Sequence, residues 1–433
     1  MSTITILKDS SWLHHADITK FSDITAFRMP GFPLLIALSK YLFGEDGWRG
    51  GVLLVHLLFV GISAYTLYLL ARELRFKSWI RRIFLGCYIT GMPLYYAMLV
   101  LTDSMFCSLS VVALSVLGVS YMRQRLSIAH GIVLFLSLVL LGFWRESGVP
   151  LILSCAPLWG IFFLQKQWHK GVVISALCLG ALFVSHETMC RWNEYRTGVR
   201  FVTTGFSTAL CAALGGLVQY VPDFWEYTCL KEHKHLAAKN EFSNICAMIE
   251  RKMEVEEIGP LEAARQLKED YIKSWMMFPI EQLKAQFLNT QSVGWGACST
   301  LWPACGLVQA FRGKNDPLVP MREGFPLWFV AFSVITSCLL SVLMFVHLGT
   351  AFIKLLCKRR EKALCIAANN KEQLLCWAFF LQSAAFIFVY LMIHMEYRYI
   401  LSSITFFGFL GWWTLSDILY MRQKNSSTNG VTG

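Results

Sequence analysis

Charge is what this sequence has least of. Asp, Glu, Lys and Arg make up 15% of it, against roughly a quarter in an average soluble domain. Apolar residues make up 55%, and the mean hydropathy is +0.49. The shortage of charge excludes a soluble cytoplasmic protein, a disordered chain and a nucleic-acid binder. No CxxC pair and no Cys/His cluster with zinc-finger spacing occurs, so the fourteen cysteines do not build a zinc module. Six of them (Cys87, Cys107, Cys155, Cys178, Cys338, Cys376) lie inside apolar runs, where cysteine acts as a small hydrophobe. Residues 1–31 have no apolar core of useful length and carry Lys8, Asp9, Asp17, Lys20, Asp23 and Arg28, which excludes a secretory signal peptide there. Neither an internal repeat nor charges at the middle of the apolar runs are evident, which argues against a transporter or flippase.

What the chain does have is long apolar runs. A spanning helix needs about 20 mostly apolar residues. Nine stretches qualify: 51–71, 83–101, 104–122, 129–144, 147–164, 171–187, 326–348, 374–394 and 400–421. The run 32–43 is too short to span and reads as an interfacial or re-entrant helix. The expected fold is therefore all-α, a polytopic transmembrane bundle of about nine spans. The net charge of +11 is explained by the loops. Sixteen Lys and Arg fall in alternate segments, 72–82, 123–127, 165–170, 354–362 and the tail after 421. The short turns between them hold only Arg145 and Arg398. By the positive-inside rule the basic segments are cytoplasmic. Residues 1–50, the turns at Asp103, Arg145 and Glu396, and the loop 188–325 then lie outside.

This divides the chain into an outer segment 1–50, six spans over 51–187, an extracytoplasmic loop domain 188–325, three spans over 326–421 and a polar tail 422–433, expected to be disordered. The loop domain has 15 basic and 15 acidic residues, a soluble balance. Within it Leu261, Ala264, Leu267 and Tyr271, then Ile280, Leu283 and Phe287, recur at helical spacing, with Pro279 breaking the pattern. Two amphipathic helices against the membrane or capping the bundle are expected. Cys190, Cys211, Cys229, Cys246, Cys298 and Cys305 lie in this loop, and an oxidising compartment would permit bridges among them.

Ionisable groups at a membrane edge are functional candidates. Asp9, Asp17, Asp23, Arg28, Asp103, Arg145, Glu146, His186, Glu187, Glu396 and Arg398 all map to the outer face. Carboxylates supply a general base, and arginine forks bind phosphate. The plainer alternative is that outer turns must carry polar residues anyway.

Several stretches resemble one family in order along the chain. Arg28-Met-Pro-Gly-Phe-Pro33, followed by Leu42-Phe-Gly44, is similar to the R-x-PG-[YF]-P…lfG stretch of the C-type (GT-C) polytopic glycosyltransferases. These enzymes use polyprenyl-phosphate sugars; protein O-mannosyltransferases and the lipid A aminoarabinose transferase are examples. LYLLARELRF (67–76), GMPLYYAMLVLTDSMFCSLSVVALSVL (91–117), GFWRESGVPLIL (142–153), ARQLKEDYIKSWMMFPIEQLKAQF (264–287) and EYRYILSSITFF (396–407) resemble later family segments.

The resemblance implies an inverting transfer of a sugar from a polyprenyl phosphate to a lipid, glycan or protein acceptor. Asp9, in Asp9-Ser-Ser-Trp-Leu-His-His-Ala16, matches the catalytic acid of the first outer loop. Asp103 would be a second acid that positions the acceptor or a divalent metal. Arg28, Arg145 and Arg398 would hold the donor phosphate, with Glu146, Glu396 and Tyr399 in support. No metal ligand set is legible, and nucleic acid is not an expected partner. A bacterial inner membrane is expected in preference to the endoplasmic reticulum. Two departures stand out: Ser402 or Ser403 occupies the place of the family's late proline, and a transmembrane helix before the acidic loop is missing. Either the start is misassigned and a tenth span precedes it, or the chain is a truncated, non-catalytic relative.

Overall fold

The structure, a computed structural model, describes residues 29–98, 102–203, 205–232, 242–288, 335, 339–350, 371–392 and 400–429. Among the described residues there is helix and no strand. The first element, α1 (Gly31–Glu73), is interrupted at Gly44, whose φ of +74° a side chain would not tolerate. The interruption is a reversal. Phe32 and His56 are 24 positions apart, which on one straight helix is about 36 Å, yet their rings lie 6.1 Å apart. A Cβ on Gly51 would meet the Phe43 ring at 2.5 Å and Ser39 Cβ at 3.2 Å. The arm 31–43 thus folds back along the first turns of the long segment 45–73, and glycine at 51 makes room for it.

Helix α2 (Ser78–Thr90) ends at Gly91, and α3 (Met92–Met98) begins afresh with Pro93 in its first turn. The single span expected over 83–101 is therefore broken. Proline fits a first turn, where its missing N–H costs nothing, and Gly91 departs from helical geometry at ψ −143°. Helix α4 (Thr102–Met122) is the centre of the molecule. Nearly all its side chains are buried, under α1, α3, α5 (Ile128–Trp144) and the C-terminal helices. Without water to drive association, close packing of small side chains holds such a helix. Ser104, Ser108, Ser110, Ser115 and Ser120 are all buried, and Gly118 lies directly under Leu70 and Phe379.

Helices α6 (Gly148–Ser154) and α7 (Ala156–Leu164) follow, then α8 (Trp168–Thr197), which runs ten residues past the expected end of its span at 187. Gly142 of α5 rests against Ser185 of α8, and a Cβ there would come within 2.5 Å of it. Three further helices lie toward the C-terminus: α13 (Leu339–Thr350), α14 (Lys371–Met392) and α15 (Leu401–Asn429). Phe379 stacks on Phe406 at 4.7 Å between α14 and α15. The polar tail expected to be disordered instead continues α15 to Asn429; no glycine or proline interrupts it before Gly430. Helices α1, α4, α8 and α14 carry apolar windows long enough to cross a membrane, and α5, α6–α7 and α13 are shorter apolar helices. The chain is an all-α membrane protein.

Between α8 and α13 lies a helical unit with its own core. It comprises α9 (Gly205–Val218), a 3-10 turn (Pro222–Tyr227), α10 (Phe242–Glu256), α11 (Pro260–Met277) and α12 (Pro279–Leu288). Leu214, Leu217, Phe224, Trp225, Met248, Ile249 and Leu267 pack together, apart from the bundle core. Pro260 opens α11 and Pro279 opens α12, with the break at Phe278. The Asp270 carboxylate accepts the Cys229 N–H at 2.7 Å. The unit docks on the bundle where Tyr271 Oη donates to the Met392 carbonyl. Cys190 Sγ lies 3.8 Å from His186 Nδ1.

Candidate functional site

Asp103 stands in the first turn of α4, where the helix dipole favours an anion. Arg145 leaves the end of α5 with extended backbone, φ −152° and ψ 149°. That geometry turns its side chain back into the bundle. The guanidinium donates to the Asp103 carboxylate, and both side chains are enclosed, 10% and 2% exposed. The guanidinium also sits over the Phe106 ring, 5.8 Å from its centroid. Phe106 lies three residues after Asp103, so the same face of α4 supplies both the counter-ion and the π surface. A charge pair so enclosed must be well matched, because each partner alone would be very costly to bury.

The surroundings are aromatic and sparsely polar. Trp144 precedes Arg145, and its ring packs edge-on against Phe32 at 6.4 Å. The start of α1 is seated tightly here: a Cβ on Gly31 would lie 2.8 Å from the Phe143 carbonyl oxygen. Tyr95 and Tyr96 of α3 are buried edge to face at 5.3 Å. The Ser104 hydroxyl donates to the Pro93 carbonyl at 2.9 Å and ties the first turn of α4 to α3. Glu146 is half-buried and makes no ion pair among the described residues. A narrow crevice bounded by Tyr88, Pro93, Ile404 and Thr405 has room for about one water molecule.

His56 belongs to this end of the bundle as well. Arg123, just after α4, pairs with Glu73, the last residue of α1, at 2.8 Å, so the two helices end together. Counting back at 1.5 Å per residue, His56 is about 26 Å and Asp103 about 28 Å from those ends. They stand at one level. His56 is fully buried, and among the described residues neither ring nitrogen has a hydrogen-bond partner. The Ala97 backbone of α3 is the polar group beside the ring.

Of the residues singled out from the sequence, Asp103 and Arg145 are brought together, with Glu146 adjacent. Asp9, Arg28, Glu396, Arg398 and Tyr399 lie outside the described residues. α15, which begins two residues after Tyr399, passes beside α4 with Thr405 Oγ1 4.0 Å from Cys107 Sγ. His186 and Glu187 belong to α8, where Glu187 pairs with Arg191 and Arg200. Sequence reasoning passed over His56 and Trp144, since each sits in or at the end of an apolar run. Among the described residues no three His, Cys, Asp or Glu side chains converge as a metal-ligand group. No family model, no curated protein and no solved structure matches this chain.

Proposed function

We propose that this protein is a polytopic membrane glycosyltransferase that moves a sugar from a polyprenyl phosphate to a lipid, glycan or protein acceptor. Its site faces the extracytoplasmic side of a nine-span bundle, in a bacterial inner membrane. The observation that carries the reading is the buried Asp103–Arg145 pair, formed by an acid and an arginine from two turns of the same outer face. Retention of a charge pair at a membrane edge favours function over stability, since a hydrophobic replacement of similar volume is often at least as stable.

In the proposed reaction Asp9 takes the proton of the acceptor hydroxyl. The acceptor oxygen attacks the anomeric carbon from the face opposite the lipid phosphate. The bond from that carbon to the phosphate oxygen breaks with inversion, and the lipid phosphate leaves with its electron pair. Arg145, held in place by Asp103, stabilises the charge that develops on the leaving phosphate, together with Arg28 and Arg398. Asp103 thereby positions the cation, and a divalent metal or the acceptor is its other assigned contact. The enclosure of the pair favours a second reading, a non-catalytic membrane relative in which it is a structural staple. Membranes carrying the chain, incubated with a panel of radiolabelled polyprenyl-phosphate sugars, decide between them. Transfer that disappears in Asp9→Asn at unchanged membrane level supports the enzyme. Silence of the wild type at normal level supports the non-catalytic relative.

A further inference from the structure

Two buried polar groups at this end of the bundle have no hydrogen-bond partner among the described residues. One is the His56 imidazole, with both ring nitrogens unmatched; the other is the Trp144 indole N–H. A buried polar group left unmatched is costly, so each of these two is suited to meet a ligand. The Phe32 ring touches both residues, at 6.1 Å from His56 and 6.4 Å from Trp144. The three form one wall on the level of Asp103, and Trp144 is bonded directly to Arg145.

Their chemistry differs from that of the ion pair. Imidazole offers one donor and one acceptor, and indole offers one donor. Flat rings present apolar faces. Neutral hydrogen-bonding groups set among aromatic faces suit a polyhydroxylated ring, which has hydroxyls at its edge and C–H bonds on its faces. Resting on the glycosyltransferase reading, we infer that His56, with Trp144 and Phe32, forms the subsite for the sugar ring of the donor, beside Arg145 that holds its phosphate. The wall is covered by the arm 31–43 and by α3. The breaks at Gly44 and Gly91 uncouple both segments from the long helices, so they can part for a ligand without unwinding a span.

The test is equilibrium binding to the full chain in nanodiscs, comparing a radiolabelled polyprenyl-phosphate sugar with the same polyprenyl phosphate lacking its sugar. The His56→Ala variant is expected to bind the glycosylated lipid about 10-fold more weakly, the worth of one good hydrogen bond at 1.4 kcal/mol per decade. Its affinity for the bare lipid phosphate should stay unchanged, and its melting temperature should not fall. Arg145→Lys should weaken both ligands. His56→Gln, which keeps a donor and an acceptor, should recover part of the loss, and it substitutes for the alanine variant if that one fails to fold. Equal affinity of wild type and His56→Ala for the glycosylated lipid overturns the subsite. So does a parallel loss for both lipids accompanied by a lower melting temperature, which marks a packing role. Failure of the wild type to bind either lipid overturns the glycosyltransferase reading itself, and the subsite falls with it.

Discussion

Separating stability from function at the Asp103–Arg145 pair is the most informative perturbation of this molecule. Arg145→Leu leaves a carboxylate whose side chain is 2% exposed without its cation, and Asp103→Leu leaves a guanidinium that is 10% exposed without its anion. Losing one partner of a buried pair costs about 3–5 kcal/mol. At 1.4 kcal/mol per decade this is a loss of roughly two to three and a half decades in the folding equilibrium, a large share of the roughly 5–15 kcal/mol that a whole domain holds. The double variant Asp103→Leu/Arg145→Leu removes both charges from an enclosed site, where the Arg145 guanidinium lies over the Phe106 ring. It should regain most of the stability that either single change loses. Reversible unfolding of the four proteins in mixed micelles, followed by circular dichroism, measures the coupling. Sugar transfer should be absent in both single variants and still absent in the restored double variant. If the double variant is as unstable as the two single losses added together, the charges do not interact as described. If it is stable and still transfers sugar, the pair is a structural staple and its assigned role is wrong.

Other outcomes follow from particular contacts. Gly142→Ala should destabilise the bundle by about 1–3 kcal/mol, because the added carbon comes within 2.5 Å of Ser185; Ser185→Gly in the same chain should restore part of the melting temperature. Asp270→Ala should free the Cys229 N–H and speed amide exchange over residues 228–231, with exchange in α4 unchanged. The Arg265 hydrogen bond, and after it that from Gln266, holds Glu262 down from 4.5 to about 2. A depressed carboxylate stabilises above its unfolded value and loses that contribution as pH falls through the folded one. The support Glu262 gives α11 should therefore persist at pH 4 and vanish near pH 2. In Arg265→Ala it should already fade near pH 4.5, read by NMR titration of Glu262; the site is exposed, so salt should narrow the difference.

Much of this architecture is written in local patterns. Pro279 marks the break before α12, whereas on α11 the buried positions are Pro260, Ala263, Leu267, Asp270 and Ser274, so of the expected face Leu261, Ala264, Leu267 and Tyr271 only Leu267 is fully buried. Apolar run length located α4 and α14 to within a few residues. It did not show the break within 83–101, because hydropathy records how apolar a stretch is, whereas Gly91 and Pro93 govern whether its backbone stays helical. The reversal at Gly44 rests on contacts such as Phe32 with His56 that no local pattern contains. Asp103 and Arg145 were legible as polar residues at an outer edge, but their pairing across 42 positions depends on α4 and α5 lying side by side. His56 gave no signal, since a lone histidine in an apolar run reads as core. Its meaning comes from the missing hydrogen bonds, which only three dimensions reveal.

The central claim is sugar transfer at the outer face. Its most direct measurement is label passed from a panel of polyprenyl-phosphate sugars to extractable acceptors, by membranes holding wild type or Asp9→Asn at equal levels. The account predicts label transferred by the wild type from one member of the panel and none by Asp9→Asn. Wild-type membranes that transfer nothing, or an Asp9→Asn variant that transfers as well as the wild type, would contradict it.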